Sequence, residues 1–329
     1  MKRNAIVLAS AAAVAAVAVT AALLARAPVR AADAQAAAAA GQELSGTITV
    51  EGSPSLTQIT RLIGKKFSEQ HPKVRVATVT SHTEHGVQRL VAGKAALASA
   101  SRPIRDAELA TAQRGGIGVV ELTVAFSGLA VVVAKSNEFA QDITTEELRL
   151  IWEDRSRIRL WSDLRGNWPT EPILLIGQDL DSDTYGFFTE TILGKGRRGR
   201  RDVASEADTD ALIESVAASP YALSYVDLEV FSTRPSSERL RALPVDNGAG
   251  AVAPTADTVR SGDYAPLSRP LILYVAKGAT ERPEVTAFVD FYLANGKQAA
   301  AGQGVVPLSD TLYRLEGYRF QRQITGTVY

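Results

Sequence analysis

Cysteine is absent from the 329 residues of this chain, and histidine occurs only three times. Without cysteine the protein has no disulfide bond, no thiolate nucleophile and no cysteine to which a lipid could be attached. Its stability must therefore come from a hydrophobic core. A chain of this length, with 46% hydrophobic residues, can bury a large core and is long enough for two domains.

An excess of charge of either sign is also missing, since 36 basic residues balance 36 acidic ones. Four of the basic residues fall within the first 32, where no acidic residue occurs, so the rest of the chain has a net charge of −4. A slightly acidic protein is a poor candidate for nonspecific binding to nucleic acid, and we expect no such partner. Any anion that it binds must be held by a local site.

The N-terminus has the features of a secretory signal peptide. Two basic residues precede an apolar run from Ala5 to about Ala25, and small residues with options for cleavage follow. The run has about 20 residues, so it could instead remain as a membrane anchor. We expect a signal peptide or anchor over 1–32, an alanine-rich tether over 33–44, and a folded part outside the cytoplasm.

Motifs that several enzyme classes require are missing as well. No Gly-x-Ser-x-Gly segment is present to carry a hydrolase nucleophile, and no glycine-rich loop ends in Gly-Lys-Ser or Gly-Lys-Thr. His82 and His85 flank Glu84, but their spacing matches no zinc signature. We therefore expect no enzyme, no cofactor and no metal site. An exported hydrolase of phosphate esters is a remote alternative that rests on this histidine cluster alone.

From Ser45 onward, strand patterns alternate with helix patterns. GTITVEG at 46–52 alternates as a strand. SLTQITRLIGKKFSEQH at 55–71 is predicted as a helix, because its apolar residues between 56 and 67 recur every three or four positions. The same alternation continues and predicts an α/β fold with mostly parallel strands. Further along, the patterns predict separate strands at 119–126 and 129–136 and a helix at 184–194.

Four short segments rich in hydroxyl groups each lie between a predicted strand and the next helix. Ligands of open α/β sheets gather at the carboxyl ends of strands, where helix N-termini offer unpaired N–H groups to an anion. Arg102 adds a guanidinium that matches a tetrahedral oxyanion. One such segment alone would be an ordinary helix N-cap, but four with an arginine predict an anion site. The segments are GSPSLT (52–57), SHTEHG (81–86), SASRPI (99–104) and LDSDTY (180–185).

A basic, glycine-rich stretch, GKGRRGRRD, occupies 194–202. Such a stretch is most often a solvated surface loop, and the alternative is contact with a partner.

The sequence resembles the phosphate-binding proteins of phosphate ABC transporters, which have the type II periplasmic-binding-protein fold. The matching stretches follow the family's order from about 46 to 313, and the run YAPLSRPLILYV followed by RPEVTAFVDFYL is typical of a cyanobacterial-like subgroup. Other matching stretches are ITVEGSPSLTQI, SHTEHGVQRLVAG, ASRPIRDAEL, VAFSGLAVVVAKSN, TTEELRLIWED and ILLIGQDLDSDTYGFFTETILGK.

This resemblance implies two α/β lobes with mixed, mostly parallel sheets, joined by two crossover hinge strands. Lobe one would comprise 45–124 plus 264–329, and lobe two 125–263. Inorganic phosphate would bind in the cleft between the lobes without covalent chemistry. The protein would deliver it to the membrane permease of an ABC importer, and we expect a periplasmic or otherwise extracytoplasmic monomer.

The resemblance also implies which residues contact the phosphate, and they fall on the four hydroxyl-rich segments. Asp181 would accept the proton of hydrogen phosphate and so discriminate against sulfate, which carries none. The donors implied are Ser55, the N–H of Leu56, Thr83, Ser101 and Arg102 in lobe one, and Ser182, the N–H of Asp183 and Thr184 in lobe two.

Several positions depart from the family pattern and lower the positive field of the predicted site. Glu84, His85 and Asp183 stand where the family usually has glycine, and Gln178 stands where several members have arginine. Carboxylates about 4–6 Å from a bound dianion would oppose it by several kcal/mol. The alternative function is therefore a diverged paralogue that binds another oxyanion or senses phosphate. The directions of the Glu84 and Asp183 side chains bear on this choice.

Overall fold

The computed structural model describes residues 43–206 and 208–329, so the predicted signal peptide and most of the tether lie outside the described residues. Contacts divide the chain into two units. Unit one comprises the described residues up to Val124, Ile272–Gly296 and Asp310–Tyr329, and unit two comprises Ala125–Leu271 and Lys297–Ser309. The resemblance assigns 264–271 and 297–309 to lobe one, whereas the contacts group them with unit two.

Strands and helices alternate along most of the chain, which confirms the predicted α/β class. The strands are β1 (Gly46–Gly52), β2 (Val74–Thr80), β3 (Leu97–Ala100), β4 (Val119–Ala134), β5 (Ile143–Thr144), β6 (Leu174–Gly177), β7 (Ala204–Ser205), β8 (Ala222–Asp227), β9 (Leu240–Ala242), β10 (Val245–Asp246), β11 (Ala251–Val252), β12 (Ser268–Ala276) and β13 (Val306–Pro307).

The helices are mostly short, apart from two long ones that belong mainly to unit one. They are α1 (Pro54–Gln70), α2 (Thr83–Val91), α3 (Asp106–Arg114), α4 (Thr145–Trp152), α5 (Asp183–Phe188), α6 (Thr209–Ala217), α7 (Leu228–Thr233), α8 (Ala256–Ser261), α9 (Pro283–Ala301) and α10 (Asp310–Gln321). No helix of the described residues combines the length and apolar character that crossing a bilayer needs.

The sheet of unit one has the strand order β2-β1-β3-β12. β1 pairs in parallel with both β2 and β3, and β12 runs antiparallel to β3. Ile48, Val50 and Leu97 are fully buried in this sheet. Because β1, β2 and β3 are parallel, their carboxyl ends lie at one edge of the sheet.

In helix α1 of unit one, the local sequence determines both the buried face and the two ends of the helix. Leu56, Ile59, Ile63 and Phe67 recur at helical spacing and are all at most 2% exposed. The helix begins with a proline in its first turn, where the missing N–H costs nothing, and ends before Pro72. The predicted helix is confirmed here to within one residue at each end.

Unit two has the strand order β4-β8-β6-β7, with β9 also paired to β4. β8 is antiparallel to β4 and parallel to β6. The ring of Phe188 at the end of α5 stacks on Tyr225 of β8, with ring centroids 3.8 Å apart. This stacking fixes α5 against the sheet and so positions the segment that precedes it.

Two sequence-based element predictions are wrong in detail. The two strands predicted at 119–126 and 129–136 are one strand, β4, because long-range pairing keeps Ser127 and Gly128 extended between their neighbours. The helix predicted at 184–194 is α5 followed by a π-helical turn at Thr189–Leu193. Helices α7, α8 and α10 lie where the sequence patterns predict none.

Candidate functional site

Three of the four hydroxyl-rich segments follow β1, β2 and β3, so they meet at one edge of the unit-one sheet. Backbone hydrogen bonds tie them together, from Ser53 N–H to the Ser99 carbonyl (3.0 Å) and from Ser81 N–H to the Gly52 carbonyl (2.9 Å). Gly52 has φ of 143°, and a Cβ there would lie 2.0 Å from the Ser99 oxygen. Only glycine permits this close approach of the first and third segments.

Gly86 likewise allows the second segment to approach the backbone of the first closely. A Cβ at this position would lie 2.5 Å from the Glu51 carbonyl oxygen and 2.9 Å from the Cα of Gly52. Helix α2 therefore rests directly on the backbone at the end of β1.

The first segment is organised by Ser53, which the sequence reasoning missed. Ser53 is fully buried and is the N-cap of α1, where its Oγ accepts the Ser55 N–H at 3.3 Å. The Leu56 N–H donates to the Ser53 carbonyl at 3.2 Å, so it closes the first helical turn. Ser55 itself is half-buried. The signal was available, because a serine directly before a proline at a helix start is a common N-cap.

Thr83 and Ser101 form a buried hydroxyl pair where α2 begins. Each residue is 3% exposed, and their hydroxyl oxygens lie 3.1 Å apart. The Ser101 N–H also donates to Thr83 Oγ1 at 3.1 Å. The structure thus brings together two predicted site residues that are 18 positions apart in the sequence.

Arg102 is turned toward a carboxylate of its own unit. Its Nη1 and Nη2 donate to the two carboxylate oxygens of Glu108 at 2.9 and 2.7 Å. Burial alone would raise the pKa of Glu108, but hydrogen bonds from Arg102 and the Arg105 N–H outweigh burial and lower this pKa. The ionised Glu108 offsets much of the charge that Arg102 was expected to supply.

Glu84 and His85, which stand where the resembling family has glycine, interact with residues of their own unit. Glu84 is exposed and accepts a hydrogen bond from Gln88 at 3.1 Å, one turn along α2. His85 lies 3.1 Å from Glu51, a nearly buried carboxylate that also pairs with Arg89 at 2.9 Å. No group of three or more histidine, aspartate and glutamate side chains is placed to hold a metal ion within the described ranges.

In unit two, Ser182 is the N-cap of α5. Its Oγ accepts the Tyr185 N–H at 3.0 Å and donates to the Asp179 carbonyl at 2.7 Å. Asp181 is exposed, and its N–H donates to a carboxylate oxygen of Asp179 at 3.0 Å. The aspartates that precede Ser182 therefore shape the turn into the helix, as Asx residues commonly do.

Thr184 belongs to a polar network that the sequence reasoning missed. Its hydroxyl donates to Asp227 at 2.5 Å, and Arg269 donates to the other oxygen of Asp227, also at 2.5 Å. Arg269 also donates to the backbone carbonyl of Asp183 at 3.4 Å. The Arg269 side chain is only 2% exposed, and its guanidinium lies 4.9 Å above the ring of Phe187. Asp227 ends a strand before a helix, which was a signal of the same kind as the four segments.

A second carboxylate, Glu229, lies close to this network. Ser127 of β4 donates to it at 2.7 Å. Desolvation, together with the negative charge of Asp227, raises the pKa of Glu229 to about 7.

The predicted residues are thus gathered into two sets. Asp183 is half-buried at the first turn of α5, and Glu84 is exposed. The placement of a ligand between two lobes stays a prediction of the resemblance. The unit-one set is Ser55, Leu56, Thr83, Ser101 and Arg102, and the unit-two set is Asp181, Ser182, Asp183 and Thr184.

Comparison with known proteins places the chain in a family. The family model described as "PBP superfamily domain" matches residues 37–295. Protein SphX of Synechocystis is 35% identical over 290 residues, which cover 87% of this chain and 86% of SphX. The phosphate-binding protein PstS of Staphylococcus epidermidis is 28% identical over 278 residues, covering 83% and 82% of the two chains.

A solved structure agrees with these relatives. The crystal structure of a possible phosphate binding protein from Planctomyces limnophilus is 34% identical, with a TM-score of 0.71 over 86% of this chain and all of the other. The protein described here therefore belongs to the PBP superfamily.

Proposed function

We propose that this protein is an extracytoplasmic solute-binding protein that binds inorganic phosphate and passes it to the membrane permease of an ABC importer. The observation that carries the proposal is the buried Thr83–Ser101 hydroxyl pair at the start of α2. It occurs in a chain whose relatives PstS and the Planctomyces protein are both named for phosphate binding. Location outside the cytoplasm is part of the same proposal, which the predicted signal peptide supports.

The hydroxyl pair suits an oxyanion for a simple reason. A hydroxyl both donates and accepts hydrogen bonds, and the oxygens of Thr83 and Ser101 are held 3.1 Å apart, so the pair presents two polar groups at one place. The pair also lies where α2 begins, and the N–H groups of a first helical turn favour an anion. Binding of this kind replaces the water around the anion with fixed donors and needs no covalent step.

Neutral donors carry most of this binding, because the charge of Arg102 is largely offset by Glu108. We propose the N–H of Asp183 and the hydroxyl of Ser55 as further contacts. The Leu56 N–H and the Ser182 hydroxyl donate to the carbonyls of Ser53 and Asp179 at 3.2 and 2.7 Å, so they would have to exchange those hydrogen bonds for the ligand. Asp181 remains the proposed acceptor of the ligand's proton. Thr184 would contact the ligand through its backbone, since its hydroxyl donates to Asp227.

Titration calorimetry tests the proposal directly. Thr83→Val keeps the size of the side chain but removes the hydroxyl, and we expect phosphate affinity to fall at least tenfold, since one charge-assisted hydrogen bond contributes about 1.5–3 kcal/mol. Thr60→Val is the matched control, because Thr60 lies outside the four segments, is also buried and bonds to another hydroxyl, that of Tyr292, at 3.0 Å. An unchanged dissociation constant for Thr83→Val would remove the assigned site.

A diverged ligand preference is the second candidate, and the pairing of Arg102 with Glu108 favours it. A site with little net positive charge suits a less charged or protonated oxyanion. Calorimetry with phosphate, arsenate, sulfate and molybdate distinguishes the two candidates. Binding of another anion without binding of phosphate would establish the second.

A further inference from the structure

Unit two carries a strongly basic surface, formed by residues 153–159 and 195–202, which we call the arginine surface. The two segments are far apart in the sequence but adjoin in the fold. Glu153 and Gly199 form an antiparallel bridge, and the Arg200 N–H donates to the Trp152 carbonyl at 3.0 Å. The basic loop noted in the sequence therefore does not stand alone.

The arginine surface has a large excess of positive charge. Its two segments hold eight basic and three acidic residues, which leaves a net charge of +5 in a chain that is otherwise slightly acidic. Two of the acids are engaged, since Glu153 pairs with Arg149 at 2.5 Å and Asp202 pairs with Arg200 at 2.6 Å. The exposed basic side chains are Arg155, Arg157, Arg159, Lys195, Arg197, Arg198 and Arg201.

Two features show that specific interactions and a defined backbone conformation hold the arginine surface in place. Arg200 is only 8% exposed, and its Nη1 donates to the carbonyls of Ile151 and Ile158 at 3.1 and 3.0 Å, which holds the two segments together. Arg155 adopts a left-handed φ of 64°. That conformation favours glycine or asparagine, so an arginine there is held against its backbone preference.

The arginine surface adjoins the unit-two part of the candidate site. The Gly199 N–H donates to the hydroxyl of Tyr185 at 3.4 Å, and Tyr185 directly follows Thr184 in α5. The site segment itself is acidic, with Asp179, Asp181 and Asp183 around Ser182. An anion that approaches this segment meets repulsion from those carboxylates and attraction from the adjoining arginines.

We propose that the arginine surface is a second, low-affinity anion site that attracts inorganic phosphate toward the Ser182–Thr184 segment. This rests on the proposed function. Clusters of one sign of charge raise the local concentration of an oppositely charged ligand, and guanidinium groups match phosphate oxygens. Neither segment contains an aromatic residue on which a base could stack, which disfavours a nucleic acid as the occupant.

The attraction should depend strongly on salt, because the charges are exposed. The Debye length is about 30 Å at 0.01 M and falls to a few ångströms near 1 M ionic strength. Removing three positive charges that lie on the order of 15 Å from a phosphate should lower its affinity about threefold to sixfold at low salt. At high salt the effect should fall below about twofold.

The test compares three versions of the full chain by calorimetry with inorganic phosphate, at ionic strengths of about 0.01 and 0.5 M. One is unaltered, and the second carries Arg197→Gln, Arg198→Gln and Arg201→Gln. The control carries the same change of charge on exposed residues of unit one, Arg61→Gln, Lys65→Gln and Arg75→Gln. We expect only the arginine-surface variant to lose affinity, and only at low salt.

The other outcomes distinguish failure of the proposed function from failure of the inference about the arginine surface. If the unaltered chain binds no phosphate, the proposed function and this inference both fall. If it binds and the arginine-surface variant matches it at low salt, only this inference falls. A loss of equal size at both ionic strengths would indicate a structural effect. Unchanged phosphate affinity with lost binding to phosphatidylglycerol vesicles would instead make the surface a membrane contact.

Discussion

Replacing Arg269 by methionine should destabilise unit two, because the change leaves the Asp227 carboxylate without the guanidinium that lies 2.5 Å away. The Arg269 side chain is 2% exposed and that of Asp227 is 16% exposed. Breaking a buried ion pair by removing one partner costs about 3–5 kcal/mol. Asp227 keeps some exposure and the hydrogen bond from Thr184, so we expect the lower end, about 3 kcal/mol.

Urea unfolding followed by circular dichroism at pH 7 measures this cost, with separate fits if the two units unfold in separate transitions. Asp227→Asn and the double variant complete a double-mutant cycle. Because the partner charge is then also gone, the double variant should lose at least about 1.5 kcal/mol less than the sum of the single losses. Arg239→Met is the control, since its pair with Glu214 is half-exposed on both sides and should contribute less than about 1 kcal/mol.

Two results would refute this reasoning. A cost below about 1 kcal/mol for Arg269→Met would mean that the network is not a stabilising element. Additive losses in the cycle would mean that the Arg269–Asp227 contact does not carry the effect.

Three other predictions concern pH, packing and charge. Glu229 has a pKa raised to about 7 from 4.5, so the folded state holds a proton that the unfolded state has lost between these values, and stability falls as pH rises through that window. Glu229→Gln should therefore be about 1–2 kcal/mol more stable than the unaltered protein at pH 8 and equal to it near pH 4.5; an equal gain at both pH values would contradict the assignment. Gly86→Ala places a Cβ 2.5 Å from the Glu51 oxygen and should cost about 2 kcal/mol and weaken phosphate binding, whereas Gly317→Ala, with nothing within 4 Å, should be neutral or slightly stabilising in the same unfolding assay. Arg102→Ala leaves Glu108 uncompensated beside the proposed site and should weaken phosphate binding at least tenfold; unchanged affinity in calorimetry would exclude Arg102 from it.

Local patterns predicted the elements that frame the unit-one site. Strand β1 and helix α1 have their predicted ends to within one residue, because alternation, helical spacing and the serine–proline start all act over a few neighbouring positions. The break predicted within β4 was wrong, because Ser127 and Gly128 look like a turn locally. Pairing with β13 and β8 keeps them extended, and that pairing depends on residues about 100 to 180 positions away.

The candidate site divides in the same way. The hydroxyl-rich segments could be found from sequence, because each is a strand end followed by a helix start. The partners of the charged groups could not, since a side chain's direction depends on what packs around it. Glu84 accepts a hydrogen bond from Gln88, and Asp227 accepts hydrogen bonds from both Thr184 and Arg269.

The sequence by itself determined the α/β class, the lack of disulfide and thiolate chemistry, and the positions where an oxyanion could meet helix N-termini. These follow from composition and from patterns of short range. Only the tertiary structure decided that Arg102 is held by Glu108 and that the two basic segments adjoin in one surface next to Tyr185. Electrostatic attraction depends on distance in space, and residues 153–159 and 195–202 become neighbours only when the chain is folded.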